Sequence, residues 1–226
     1  MIFILTDLRR IFTEPAFYIS MLLNIVLLGV GFFCVMNISA PDRLFLYAQS
    51  FALPFAAPIL AAMPYSVMIM QEKETRYGTL MNIKTGGGGY EFRRFVTCGI
   101  SGAMALFIPQ LILLIVCIII SPETDHGYDL SVLMLSLSFG FSYASVAYGL
   151  TFVNKQRYVP LVMPQVMYLL CIYAFPHIKL ERFYPPLDIA PAIYGSDITP
   201  DRFFIPLCIT ALGLVLTIFG KAGERI

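Results

Sequence analysis

Apolar residues run down this chain in long unbroken blocks, and the polar ones gather between the blocks instead of alternating with them. The blocks fall at 17–36, 45–70, 95–120, 132–153, 159–178 and 203–220. About 20 apolar residues in a helix rising 1.5 Å each match the hydrocarbon thickness of a bilayer. A single run of this kind could be a buried core helix. Six in succession leave no stretch for a soluble domain. They predict an all-α integral membrane protein, one domain over 1–226, with six transmembrane helices.

Two polar stretches carry a pattern of their own. In 2–14, Leu5, Leu8, Ile11 and Phe12 recur at helical spacing, with Thr6, Asp7, Arg9, Arg10 and Thr13 facing the other way. That amphipathic spacing predicts a short helix in the headgroup layer. A tail that merely fixes orientation through its Arg pair is the alternative. Pro15 then suits the first position of the first span, where its missing N–H costs little.

The second stretch is QEKETRYGTLMNIKTGGGGYEFRRF, residues 71–95. Residues 71–84 read as a helical extension of the second span. Glu72 and Arg76 stand at i,i+4 spacing, which favours an ion pair. Tyr77, Leu80, Met81 and Ile83 give its far end an apolar face. The glycines at 86–89 then stop the helix and reverse the chain. Such an apolar tip suits docking onto a partner, and a solvated turn that only sets topology fits the same residues.

Composition agrees with the membrane reading. Mean hydropathy is +0.79 and 13% of residues are charged, against about 25% in soluble domains. Lys and Arg give the orientation. With the N-terminus inside, the inner segments hold Arg9, Arg10, Lys73, Arg76, Lys84, Arg93, Arg94, Lys155, Arg157, Lys221 and Arg225. The outer ones hold only Arg43, Lys179, Arg182 and Arg202. That bias predicts both termini on the cytoplasmic side. Membrane lipid is the partner this composition implies; nucleic acid is not.

Chemistry-bearing residues are sparse. The spans contain neutral polar groups, Asn24, Gln49, Gln110 and Gln165, but no charge away from their ends. Ion-coupled carriers place ionisable groups inside the membrane, so ion coupling is not expected here. The four side chains read as helix–helix hydrogen bonds ahead of substrate ligands. His126 and His177 lie in different outer loops without metal-site spacing, and Glu72 and Glu74 lie on the opposite side. No catalytic or metal-binding group is read. The glycine run lacks the Lys-Ser or Lys-Thr of a phosphate loop, so no nucleotide or other cofactor site is read either. Cys34, Cys98, Cys117, Cys171 and Cys208 are scattered and read as apolar filler. Pro54, Pro58 and Pro64 in the second span and Pro160 and Pro164 in the fifth predict kinks. The fourth span is rich in small residues from Ser136 to Gly149, which predicts close packing within the chain.

The 71–94 loop resembles the first cytoplasmic loop of ABC type-2 exporter permeases. The matching residues are Glu72, Glu74, Gly78, Thr79 and Leu80, then Glu91, Phe92, Arg93 and Arg94. The likeness extends to the N-terminal amphipathic helix, the six spans, the short turn at 154–158 and the proline-rich outer segment at 179–202. Thr85 and the glycine run stand where that family often has a Pro/Ser/Arg-type break.

The resemblance implies a cytoplasmic coupling helix between helices 2 and 3. It makes Glu72, Glu74, Arg76, Tyr77, Gly78, Thr79, Leu80, Met81 and Ile83 the ATPase-coupling residues, with Arg9 and Arg10 beside the same partner. It implies a separate ATP-binding cassette ATPase that uses ATP and Mg, and a second permease copy or paralogue. Asn24, Gln49, Gln110 and Gln165 become candidates to line a path between the copies. The expected setting is the bacterial inner (plasma) membrane. The apolar, aromatic spans point to an amphipathic or hydrophobic cargo such as a peptide or drug. The alternative is a non-transporting immunity or assembly protein that binds a peptide or another membrane subunit.

Overall fold

A computed structural model describes residues 7, 9–36, 43–75, 89–122, 127–154, 156, 158–178, 186, 189 and 200–223. Six long helices account for nearly all of them: α1 (Pro15–Met36), α2 (Leu44–Glu74), α3 (Tyr90–Ile120), α4 (Gly127–Val153), α5 (Val159–His177) and α6 (Phe204–Gly223). A 3-10 turn, Pro200–Phe203, leads into α6. Among the described residues there is no strand.

The helices follow the apolar blocks but outrun them at the polar ends. α2 continues to Glu74 and α3 begins at Tyr90, five residues before its apolar block. Charged residues are good helix formers once they leave the hydrocarbon. Apolarity therefore marks the membrane-spanning part of a helix and not its ends. Gly89 precedes α3 at φ 83, the left-handed region that glycine enters without steric cost.

Five helices are long and apolar enough to cross a membrane as single rods. α2 qualifies as a bent pair, Leu44–Phe51 and Leu53–Ile69, at 71° to one another. The sequence explains the bend. Pro54 cannot donate to the carbonyl of residue 50 and its ring crowds that carbonyl. Ser50 turns its own hydroxyl back to Leu46 O at 2.6 Å, a local bond that also bends helices.

α4 is the centre of the bundle. It packs on α2, α3, α5 and α6, while α1 lies against α2 and α3. Two-thirds of the apolar window of α4 is buried, against about a fifth for α1, α5 and α6. Its small residues allow this. A methyl group at Gly140 would stand 2.7 Å from Gly102 O on α3, and one at Gly102 would stand 2.6 Å from Ala61 O on α2. On the other side of α4, a methyl at Gly149 would meet Gly213 O of α6 at 2.6 Å. Lipid tails are as apolar as Leu, so burial from water does not drive this packing. Close backbone contact and interhelical hydrogen bonds do.

The surface is apolar and the interior holds the polar groups. Leu22, Phe33, Phe55, Ile119, Tyr173 and Phe219 are all more than half exposed. Ser20, Asn24, Gln49, Ser101, Gln110, Ser136 and Ser145 are almost wholly buried. A water-soluble protein rarely exposes contiguous apolar patches on this scale.

Candidate functional site: a charge network at one end of the bundle

The end of α2 and the start of α3 meet through a buried ion pair. Arg94 Nη2 donates to Glu72 Oε2, and Arg94 Nε donates to Tyr65 Oη at 2.9 Å. Both charged side chains are almost fully buried. The Arg94 guanidinium also stands 5.4 Å from the centre of the Tyr90 ring, within cation–π range. Glu72 holds a second cation. Arg10 Nη1 lies 2.5 Å from Glu72 Oε1, off the hydrogen-bond direction, so this contact is charge pairing and not an aligned bond.

The network continues across the bundle. The rings of Tyr65 and Tyr148 lie 6.0 Å apart. Tyr148 Oη donates to Glu91 Oε2 at 2.6 Å, and Lys221 Nζ stands 3.2 Å from Glu91 Oε1. The connected groups come from the N-terminal segment (Arg10), α2 (Tyr65, Glu72), α3 (Glu91, Arg94), α4 (Tyr148) and α6 (Lys221). Residues 10 and 221 therefore lie at the same end. Ile11 is fully buried beside them, in an apolar cluster with Phe17, Tyr65, Met68 and Tyr148. Burial raises the carboxyl of Asp7 above its ordinary value; Arg94 pulls it down, Glu72 pushes it up and Arg10 lowers it.

The sequence reading singled out Glu72 but paired it with Arg76. Arg76 lies outside the described residues, and the Glu72 carboxylate is held by Arg94 and Arg10. Tyr77, Gly78, Thr79, Leu80, Met81 and Ile83 also lie outside the described residues. Glu74 is the last residue of α2. Arg9 is helical and exposed. The reading missed Tyr65, Tyr148 and Lys221 as partners. One signal was present for the central pair. Glu72 and Arg94 lie symmetrically about Ile83, and an antiparallel hairpin brings such residues face to face.

The four neutral polar residues of the spans all bind across helices, and Asn24, like Ser20 on the same helix, binds a carbonyl freed by proline. A proline leaves the carbonyl four residues before it without its helical donor. Asn24 Nδ2 of α1 donates to Ala105 O at 3.1 Å and to Leu106 O at 3.4 Å, and Ala105 is the residue that Pro109 leaves unbonded. Ser20 Oγ of α1 donates to Leu60 O at 2.7 Å, the carbonyl freed by Pro64. Gln165 Nε2 of α5 donates to Phe55 O at 2.6 Å, three residues before Pro58. Neighbouring helices commonly satisfy backbone groups freed by proline inside a membrane. Gln49 joins three helices instead, donating to Ser136 Oγ at 3.0 Å and to Gln110 Oε1 at 3.4 Å. Each of these bonds lies within one chain, and the structure does not assemble the four residues into a single site.

Fold and surface together define the class: an all-helical protein of five or six membrane-spanning helices, with its polar groups turned inward. Comparison with family models, curated proteins and solved structures returns no match.

Proposed function

We propose that the chain is the membrane permease subunit of an ATP-driven exporter. ATP hydrolysis takes place in a separate ATPase, and a second copy or a similar chain completes the path. The observation that supports this reading is the clamp at the base of the 76–88 connection. The helix that enters this connection and the one that leaves it are joined by Glu72–Arg94. The clamp is linked onward to the N-terminal segment, α4 and α6. A force applied to the connection would thus reach four helices and not one. That suits a coupling element carrying Leu80, Met81 and Ile83, and the likeness of this loop to ABC type-2 exporter permeases supplies the partner.

In this reading the charged end faces the cytoplasm of a bacterial cell, and both termini lie on that side. The cargo is amphipathic or hydrophobic, as the apolar outer surface of the bundle suggests. Asn24, Gln49, Gln110 and Gln165 keep the helices in register, and a path between copies runs beside them.

The test is co-purification. The tagged chain is expressed with the candidate ATPases of its host, beside a variant with Leu80, Met81 and Ile83 all changed to Asp. The expected result is an ATPase bound to wild type and lost from a variant that still folds. If no ATPase binds under conditions that preserve known transporter complexes, the exporter reading fails. A peptide-binding immunity or assembly protein then becomes the leading account.

A further inference from the structure

At the end of the bundle remote from the charge network, one guanidinium has no anion beside it among the described residues. Arg202 lies in the Pro200–Phe203 turn that feeds α6. α6 carries Lys221 of the charge network near its other end, so about 26 Å of helix at 1.5 Å per residue separates the two regions. Arg202 is only 8% exposed. Among the described residues its Nε and Nη1 atoms are buried and have no hydrogen-bond partner. Arg94 is comparably buried and has both a carboxylate and a phenol. A buried cation lacking such partners is strongly unfavourable, so the site calls for an anion.

Two further features describe that anion. α6 begins two residues after Arg202, and its own first turn contains no acidic side chain, the nearest acidic residue in the sequence being Asp201 in the turn before it. Its first N–H groups and the positive end of its dipole therefore add to the same electrostatic deficit. The adjoining surface is apolar: Phe203, Phe204 and Leu207 are all exposed. A small soluble anion would satisfy the charge and leave those side chains uncovered. A lipid brings a phosphate and hydrocarbon together.

We propose that Arg202 and the start of α6 form a binding site for the phosphate of an anionic phospholipid, with its acyl chains along Phe204 and Leu207. The guanidinium supplies charge and N–H donors, and the helix start supplies the dipole. Inorganic phosphate shares the headgroup chemistry and lacks the chains.

The experiment uses the full chain, purified in mild detergent and stripped of lipid. Thermal melting is followed while phosphatidylglycerol, phosphatidylcholine or inorganic phosphate is added. Wild type is compared with Arg202→Gln, Arg202→Lys and Arg43→Gln, the last removing an exposed arginine at the start of α2. Phosphatidylglycerol should raise the wild-type midpoint more than the other two additives. Arg202→Gln should need about tenfold more of it for the same shift, as expected for loss of one charge-assisted hydrogen bond. Arg202→Lys should fall between, and Arg43→Gln should match wild type. Without lipid, Arg202→Gln should melt no lower than wild type, because it removes a buried charge that lacks a partner.

Three results would overturn the site. A lower midpoint or failed folding of Arg202→Gln without lipid would mean that Arg202 is paired within the chain. A full shift from inorganic phosphate would mean a free-anion site. An equal loss in Arg43→Gln would mean diffuse surface charge.

Discussion

At the charged end, Glu72, Glu91 and Arg94 bind side chains from other segments of the chain. Halfway along the bundle, Ser20 and Asn24 bind backbone carbonyls that prolines have left without donors, and Gln165 binds the Phe55 carbonyl of the neighbouring helix. Both regions tie helices together, and position in the membrane decides which means is used. A charge in the hydrocarbon is costly, so full ion pairs gather where the helices leave it. Neutral amides and hydroxyls can be buried deeper, provided a partner waits for them. Proline creates that partner by freeing a carbonyl. In this bundle Pro64 with Ser20, and Pro109 with Asn24, therefore form units split between two helices.

The sharpest way to break the contrast is at its strongest charge. Glu72→Ala leaves Arg94 buried with a phenol but no anion. Removing one member of such a pair costs about 3–5 kcal/mol. Unfolding in mixed micelles should show a loss of that order, and Glu72→Leu combined with Arg94→Met should recover much of it. A loss of under about 1 kcal/mol from Glu72→Ala would mean that the pair behaves like a surface salt bridge.

The neutral region is tested by a cycle. Asn24→Leu leaves Ala105 O without the amide, for about 1–3 kcal/mol. Pro109→Ala restores a backbone donor to the same carbonyl. On the Pro109→Ala background, Asn24→Leu should therefore cost much less than in wild type. If the two changes simply add, Asn24 is not relieving the proline.

At the rim of the charged end the effects shrink. Lys221 and Glu91 are each partly exposed, so Lys221→Met should cost less than about 1 kcal/mol and lose its effect in high salt. The smallest effect is expected at Asp7. Burial holds its carboxyl above the ordinary value of 3.8. The protonated form is thus favoured in the folded state. The resulting stability is fully present below the ordinary value and is lost as pH rises through the raised one. Asp7→Asn should flatten this acid-side gain in a melting-versus-pH series. An unchanged series would mean that Asp7 does not titrate against the network.

The spans were legible because lipid demands continuous apolar runs, and each run became a helix. The helix ends were less legible. Residues 91–94 lie outside the apolar block but read as the start of the third span, and they do open α3, which begins at Tyr90. The partner of Glu72 was not legible from local spacing, since i,i+4 points to Arg76 while the fold delivers Arg94 from the next helix. The neutral residues were read correctly as interhelical bonds, but their targets were hidden. Nothing in one sequence tells which carbonyl lies opposite Asn24 until the offset of α1 against α3 is known. Pro109 carried half of that information and stands alone in its span, with no pattern to mark it.

The glycine contacts have a mechanical meaning. Where backbone rests on backbone, as at Gly102 with Ala61 and Gly140, or Gly149 with Gly213, no layer of side chains can swing aside to let one helix slide over the other. With Gly31 of α1 likewise set against the Ala48 carbonyl of α2, α1, α2, α3, α4 and α6 are then expected to travel as a single block. α5 takes part in none of these close approaches among the described glycines. It is fastened to α2 by the Gln165 bond and to α4 by the packing of Tyr168 against Phe139 and Tyr143. Any shear within one chain should begin at that helix.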